Sequence, residues 1–132
     1  MSDTACSACL SLRFKVAITY FVLAVGMGVG MAASHNFTLL PVHAHMNLVG
    51  WVSQALIALI FRLYPGIEET RLAKAQFWTY NVFGLGMLVF LTLYLLGNAA
   101  IEPVLAVCAI GTFVGVLLFP LTLWRWKPPI AA

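Results

Sequence analysis

Pro41-Val42-His43-Ala44-His45-Met46-Asn47-Leu48-Val49-Gly50-Trp51 opens a predominantly apolar stretch that continues to Ile60. Roughly 20 apolar residues are enough for a helix to cross a bilayer, and this run meets that length with two imidazoles at its start. Ionisable groups at membrane depth are costly, so a residue of this kind marks a functional site by default. Neutral imidazole is also the commonest biological metal ligand.

The rest of the chain has the same character. Of 132 residues, 63% are hydrophobic and only 8% charged, with a mean hydropathy of +1.00. A soluble domain of this size keeps too much of its surface wet to hide that much apolar area, so the lipid bilayer is the natural solvent. Four stretches are long enough to span it, at residues 15–33, 43–64, 75–96 and 103–124. They leave no material for a soluble domain. The expected fold is all-α, a single polytopic membrane domain of four transmembrane helices. The connections are short, which makes successive helices antiparallel neighbours. Pro41 and Pro103 suit first helical turns, where a missing N–H costs nothing. The first span, with Met31-Ala32-Ala33-Ser34 at its end, has a signal-peptide outline, but its apolar core is long for one and favours a retained helix.

All seven basic residues fall on one side of this topology: Arg13 and Lys15 before the first span, Arg62, Arg71 and Lys74 around the second connection, and Arg125 and Lys127 after the fourth span. The positive-inside rule then puts both termini in the cytoplasm and His35, His43 and His45 towards the outer face. The expected location is a bacterial-type inner (plasma) membrane. The net charge of +3 is a topology signal and needs no nucleic-acid partner. Trp124 and Trp126, beside Arg125 and Lys127, read as an interfacial anchor, and Glu68 and Glu69 as solvated charge near basic neighbours. Gly26, Gly28 and Gly30, like Gly84 and Gly86, read as close helix contacts or as a flat surface for a planar group.

Successive residues on a helix are about 100° apart, so His43 and His45 point about 200° apart and serve different neighbours. His43 shares its expected face with Asn47, Gly50, Trp51 and Gln54, where the absent side chain of Gly50 admits a bulky group. His45 shares its face with Leu48, Val49, Val52 and Leu56, an apolar wall. His35 lies in the outer connection as an exposed residue and an additional candidate ligand.

A His-x-His at the outer end of a transmembrane helix resembles the ligand helix of the haem-copper oxidase catalytic subunit and its nitric oxide reductase relatives. The match in residues is confined to Pro41 through Trp51, while the four-span chain as a whole looks like one of the three four-helix arcs of that subunit. In that family the two histidines serve two different haems. The resemblance therefore implies haem b held by His43 and His45 (the metal ligands), with Asn47, Gly50 and Trp51 in the cofactor-binding set. It also implies a homo-oligomer, a trimer above all, in which His45 of one copy and His43 of the next meet on one haem. An electron donor is the implied partner. The family's adjacent His-His pair for copper, its proton-pathway acids and its active-site tyrosine motif have no counterpart in this chain. Electron transfer, or binding of a small gas such as O2 or NO, therefore fits better than a self-sufficient oxidase, and whether the chain is an enzyme stays open. Two other readings remain: a copper-handling membrane protein using His35, His43, His45 and Met46, and a structural accessory subunit of a respiratory complex.

Cys6 and Cys9 form a Cys-x-x-Cys, half of a zinc or redox motif with no second pair to complete it, and read as ordinary reduced thiols. Cys108 reads as a packing residue, Glu102 as an acid complementing the start of the fourth helix, and Asn81 as a polar group that must find a partner inside the bundle.

Overall fold

The computed structural model describes residues 3–128, with side chains from residue 12 onward. Four long helices run antiparallel, and no strand occurs among the described residues. Helix α1 is Asp3–Ser34, and α3 and α4 are Arg71–Leu95 and Glu102–Arg125. Helix α2, Leu40–Arg62, is built of three consecutive pieces: α-helical Leu40–His45, π-helical Met46–Ser53 and α-helical Gln54–Arg62. Each of the four is long and apolar enough to cross a membrane, with spans of Leu12–Ser34, Leu40–Arg62, Arg71–Leu95 and Ala99–Arg125. The chain is a multi-pass membrane protein, as its composition requires.

The helix ends follow from local chemistry. His35 closes α1 in a left-handed conformation, φ 53°, a backbone state that histidine adopts more readily than bulkier residues. The Asn36 side chain then accepts from the Thr38 amide at 3.0 Å and from its hydroxyl at 2.7 Å, turning the chain into α2 with Pro41 in its first turn. Thr70 caps α3 by accepting from the Ala73 amide at 3.2 Å. That cap starts α3 at Arg71, earlier than hydropathy suggests, because Arg71 and Lys74 stay exposed on the first turns. The other end of α3 closes in a Schellman motif: Gly97 (φ 103°) donates to the Tyr94 carbonyl and Asn98 to that of Leu93.

Extended packing joins α1 to α2 and α3 to α4, and no extended contact joins α1 to α4. The α3–α4 seam rests on absent side chains. A Cβ on Gly115 would stand 2.7 Å from the Tyr80 Cα, one on Gly111 would run into the Phe83 ring, and one on Gly86 would meet the Cys108 sulfur at 2.9 Å. Gly111 and Gly115 form the small-xxx-small spacing that lets membrane helices approach closely. Gly26 and Gly30, by contrast, have open space where a Cβ would be, so only Gly28 of that trio makes a close contact.

The apolar core gathers at the end carrying the chain termini. Ile57, Phe61, Ile67 and Ala73 are buried there, with Tyr64, Phe119, Leu123 and Trp126 packed against them. Trp126 lies edge-on to Tyr64 at 5.0 Å and donates to the Pro65 carbonyl at 3.2 Å, while Trp124 is 84% exposed. Only Trp124 is thus free to face lipid, because Trp126 closes the second connection.

One expectation fails here. Glu68 is buried, 3% exposed, and its carboxylate accepts from the Nε–H of Arg13 at 3.0 Å. Arg13 is itself fully buried; it donates also to Gln76 Oε1 and the Ala73 carbonyl, both at 2.8 Å, and its guanidinium lies over the rings of Phe61 and Phe77. A guanidinium tolerates such a place because its planar fork finds several acceptors at once. Glu68 therefore serves as the counter-ion of α1, not as solvated charge, while Glu69 stays half-buried.

Candidate functional site

The two histidines of α2 part as helix geometry requires. His43 is half-buried and turns onto α1, whereas His45 is exposed. His43 Nδ1 lies 2.9 Å from the Ala24 carbonyl oxygen. A carbonyl can only accept, so Nδ1 carries the proton and Nε2 presents its lone pair. His45 repeats the arrangement within its own helix, donating from Nδ1 to the Pro41 carbonyl at 2.7 Å. Both rings are thus held by one nitrogen in the tautomer that offers Nε2. A backbone carbonyl on the far nitrogen is the usual way a ligating imidazole is oriented.

Their surroundings differ. The His43 ring rests in the notch left by Gly28, where a Cβ would stand 2.9 Å from Cε1. Asn47, one turn on, places its Nδ2 3.3 Å from His43 Nε2 while donating at 3.0 Å to the His43 carbonyl. Among the described residues His45 Nε2 has no protein partner, and the wall below it stays open, with Leu48, Val52 and Leu56 all exposed.

Below Asn47 the expected stripe breaks up. Residues Met46–Ser53 are π-helical, and i→i+5 closure advances each residue by less than an α-helix does. Trp51 stays beside α1, its ring 4.9 Å from that of Phe21. Gly50 turns into the bundle, where the Tyr20 ring fills the space its missing side chain leaves: a Cβ would stand 2.6 Å from Tyr20 Cγ. Gln54 is buried and donates to the side-chain oxygen of Asn81, whose own amide donates to the Phe77 carbonyl at 2.7 Å. The structure therefore groups His43, Asn47 and Gly28 at the end opposite the termini with Trp51 and Phe21 farther down the same helix pair. Gly50 and Gln54 belong to the interior. Gly28 is the site residue whose role the sequence showed only as a packing glycine; its signal is a missing side chain opposite a histidine.

The remaining candidates stand apart. His35 is exposed at the end of α1, and Glu102 is exposed at the first residue of α4. Cys108 is buried, and the side chains of Cys6 and Cys9 lie outside the described residues. Among the described residues no three His, Cys, Asp or Glu side chains come together as a metal-binding group. Comparison with protein-family models, curated proteins and solved structures returns no match.

Proposed function

We propose that this protein binds haem b in the outer half of the membrane and serves electron transfer or small-gas chemistry there, with His43 and His45 as the residues that would hold it. One observation carries the reading: both imidazoles are anchored through Nδ1–H to backbone carbonyls and present Nε2, one beside α1 and the other on an open face. The donor set suits a macrocycle. Haem asks the protein for only one or two ligating side chains, which two diverging histidines would supply. When bound, haem supplies a one-electron couple or an open position for a diatomic gas.

The chain's own residues would orient and tune the ligands. The carbonyls of Ala24 and Pro41 hold the rings, Gly28 gives the His43 ring its place, and the Phe21–Trp51 pair lines the same helix seam. The Asn47 amide, bonded to the His43 carbonyl at 3.0 Å, is the group that yields Nε2 to a metal. Because His43 and His45 face different neighbours, a haem held by both takes one from each of two copies. A closed ring of copies satisfies every such pair, and a trimer resembles the three arcs of the haem-copper catalytic subunit. All seven basic residues flank the end opposite the histidines, which supports cytoplasmic termini in a bacterial-type inner membrane; an electron donor is the partner this role calls for.

Optical spectra of the purified protein and of His43→Ala and His45→Ala, made separately, test this. The reading expects a six-coordinate b-type spectrum that each substitution abolishes. An unchanged spectrum in either variant overturns the shared ligation. Bound copper without haem, or neither, assigns the protein to metal handling or to a structural role.

A further inference from the structure

We propose that a single water molecule is bound inside the bundle, deep in the membrane, as a hydrogen-bonded tie between α1, α2 and α3. The argument starts from one amide. Gln54 is 1% exposed, and its Nε2 donates to Asn81 Oδ1. Among the described residues, Gln54 Oε1 is buried with no protein hydrogen-bond partner. Exchanging the oxygen and nitrogen of Gln54 does not help, because it would set two acceptors face to face. Asn81 cannot be reversed either, since its Nδ2 is needed by the Phe77 carbonyl, which only accepts. The orphan acceptor is thus fixed by the network itself. A buried polar group without a partner is costly, more so where no bulk water reaches it.

Next to this amide is a cavity of about 10 Å³, lined by Tyr20, Gln54, Tyr80, Asn81 and Gly84 among others. That is close to the smallest space that holds one water, and buried waters make about three hydrogen bonds. The walls supply that number. Gln54 Oε1 accepts one water hydrogen. The Tyr80 phenol gives its own hydrogen to the Val49 carbonyl at 2.9 Å and also meets the Ser53 hydroxyl, which leaves one lone pair on its oxygen to accept the second. The Tyr20 hydroxyl, with no protein partner among the described residues, donates to the water oxygen. Gly84 forms an open wall, with nothing within 4 Å of where its Cβ would be. This site does not depend on the haem reading.

Gly84→Ala tests it through the sign of one shift. Alanine fits without a clash and is a better helix former than glycine, so filling a dry cavity raises the thermal midpoint of the full-length protein in detergent. Displacing a bound water strands Gln54 Oε1, and the expected midpoint falls by about 3–6 °C. In a Gln54→Leu/Asn81→Leu background, which removes both the orphan acceptor and the Asn81 oxygen that Gln54 serves, the same substitution is expected to be neutral or to raise the midpoint. A raised midpoint in the wild-type background, or an equal fall in both backgrounds, overturns the proposal. If the double variant does not fold, water-to-amide cross-relaxation on the Gln54 and Asn81 side chains of the wild-type protein decides: a signal lost in Gly84→Ala supports the site, and no signal in the wild type overturns it.

Discussion

The two ends of the bundle treat costly polar groups in opposite ways. At the end carrying the termini, Arg13 is fully buried and spends its donors on Glu68, Gln76 and the Ala73 carbonyl, between two aromatic rings. At the other end, His43 and His45 are each tied through Nδ1 to a backbone carbonyl; the neutral Asn47 amide meets His43 Nε2 at 3.3 Å, and His45 stands exposed. A buried charge network fixes structure, because removing one member strands the others. An imidazole anchored on one side and open on the other is arranged to meet something outside the chain. The contrast separates a structural centre, whose charges are buried against one another, from a functional one, whose imidazoles are half-buried or exposed.

Substitutions can break or sharpen that contrast. Arg13→Ala should cost the most, about 3–5 kcal/mol, because it leaves the Glu68 carboxylate buried without its counter-ion; a denaturation midpoint in detergent measures it. Glu68→Gln keeps the shape but removes the charge facing Arg13, and should cost about 1.5–3 kcal/mol, the usual worth of a hydrogen bond to a charged group. Gly28→Ala should push the His43 ring from its notch and weaken its bond to Ala24, for about 1 kcal/mol in the same assay together with a shifted spectrum if haem is bound. His45→Ala should leave the midpoint of the haem-free protein within about 0.5 kcal/mol, since the residue is exposed, while abolishing any haem signal of the loaded one. A large stability loss from His45→Ala, or a negligible one from Arg13→Ala, would erase the distinction between the ends.

Much of the fold is legible in the sequence because the bilayer imposes it. Four apolar runs, the prolines at Pro41 and Pro103, and short connections lead to the helices observed. The divergence of His43 and His45 also follows from helix geometry alone. What escapes is the pairing of residues far apart in the chain. Arg13 and Glu68 are 55 positions apart, and each read singly is an ordinary charge near a membrane surface. The π segment of α2 is hidden for a different reason: no hydrophobic period announces it, yet it moves Gly50 under Tyr20 and Gln54 to Asn81, away from the stripe that a regular helix predicts. The α3–α4 seam could have been found, because Gly111 and Gly115 carry the right spacing.

The central claim is that His43 and His45, at the end opposite the termini, hold haem. Its most direct test is the absorption spectrum of the purified wild-type protein, oxidised and reduced, with and without carbon monoxide, together with the haem-to-chain ratio. The account predicts a six-coordinate b-type spectrum and one haem per chain, lost when either His43 or His45 is replaced. A protein that folds, keeps both histidines and shows no haem bands would contradict it.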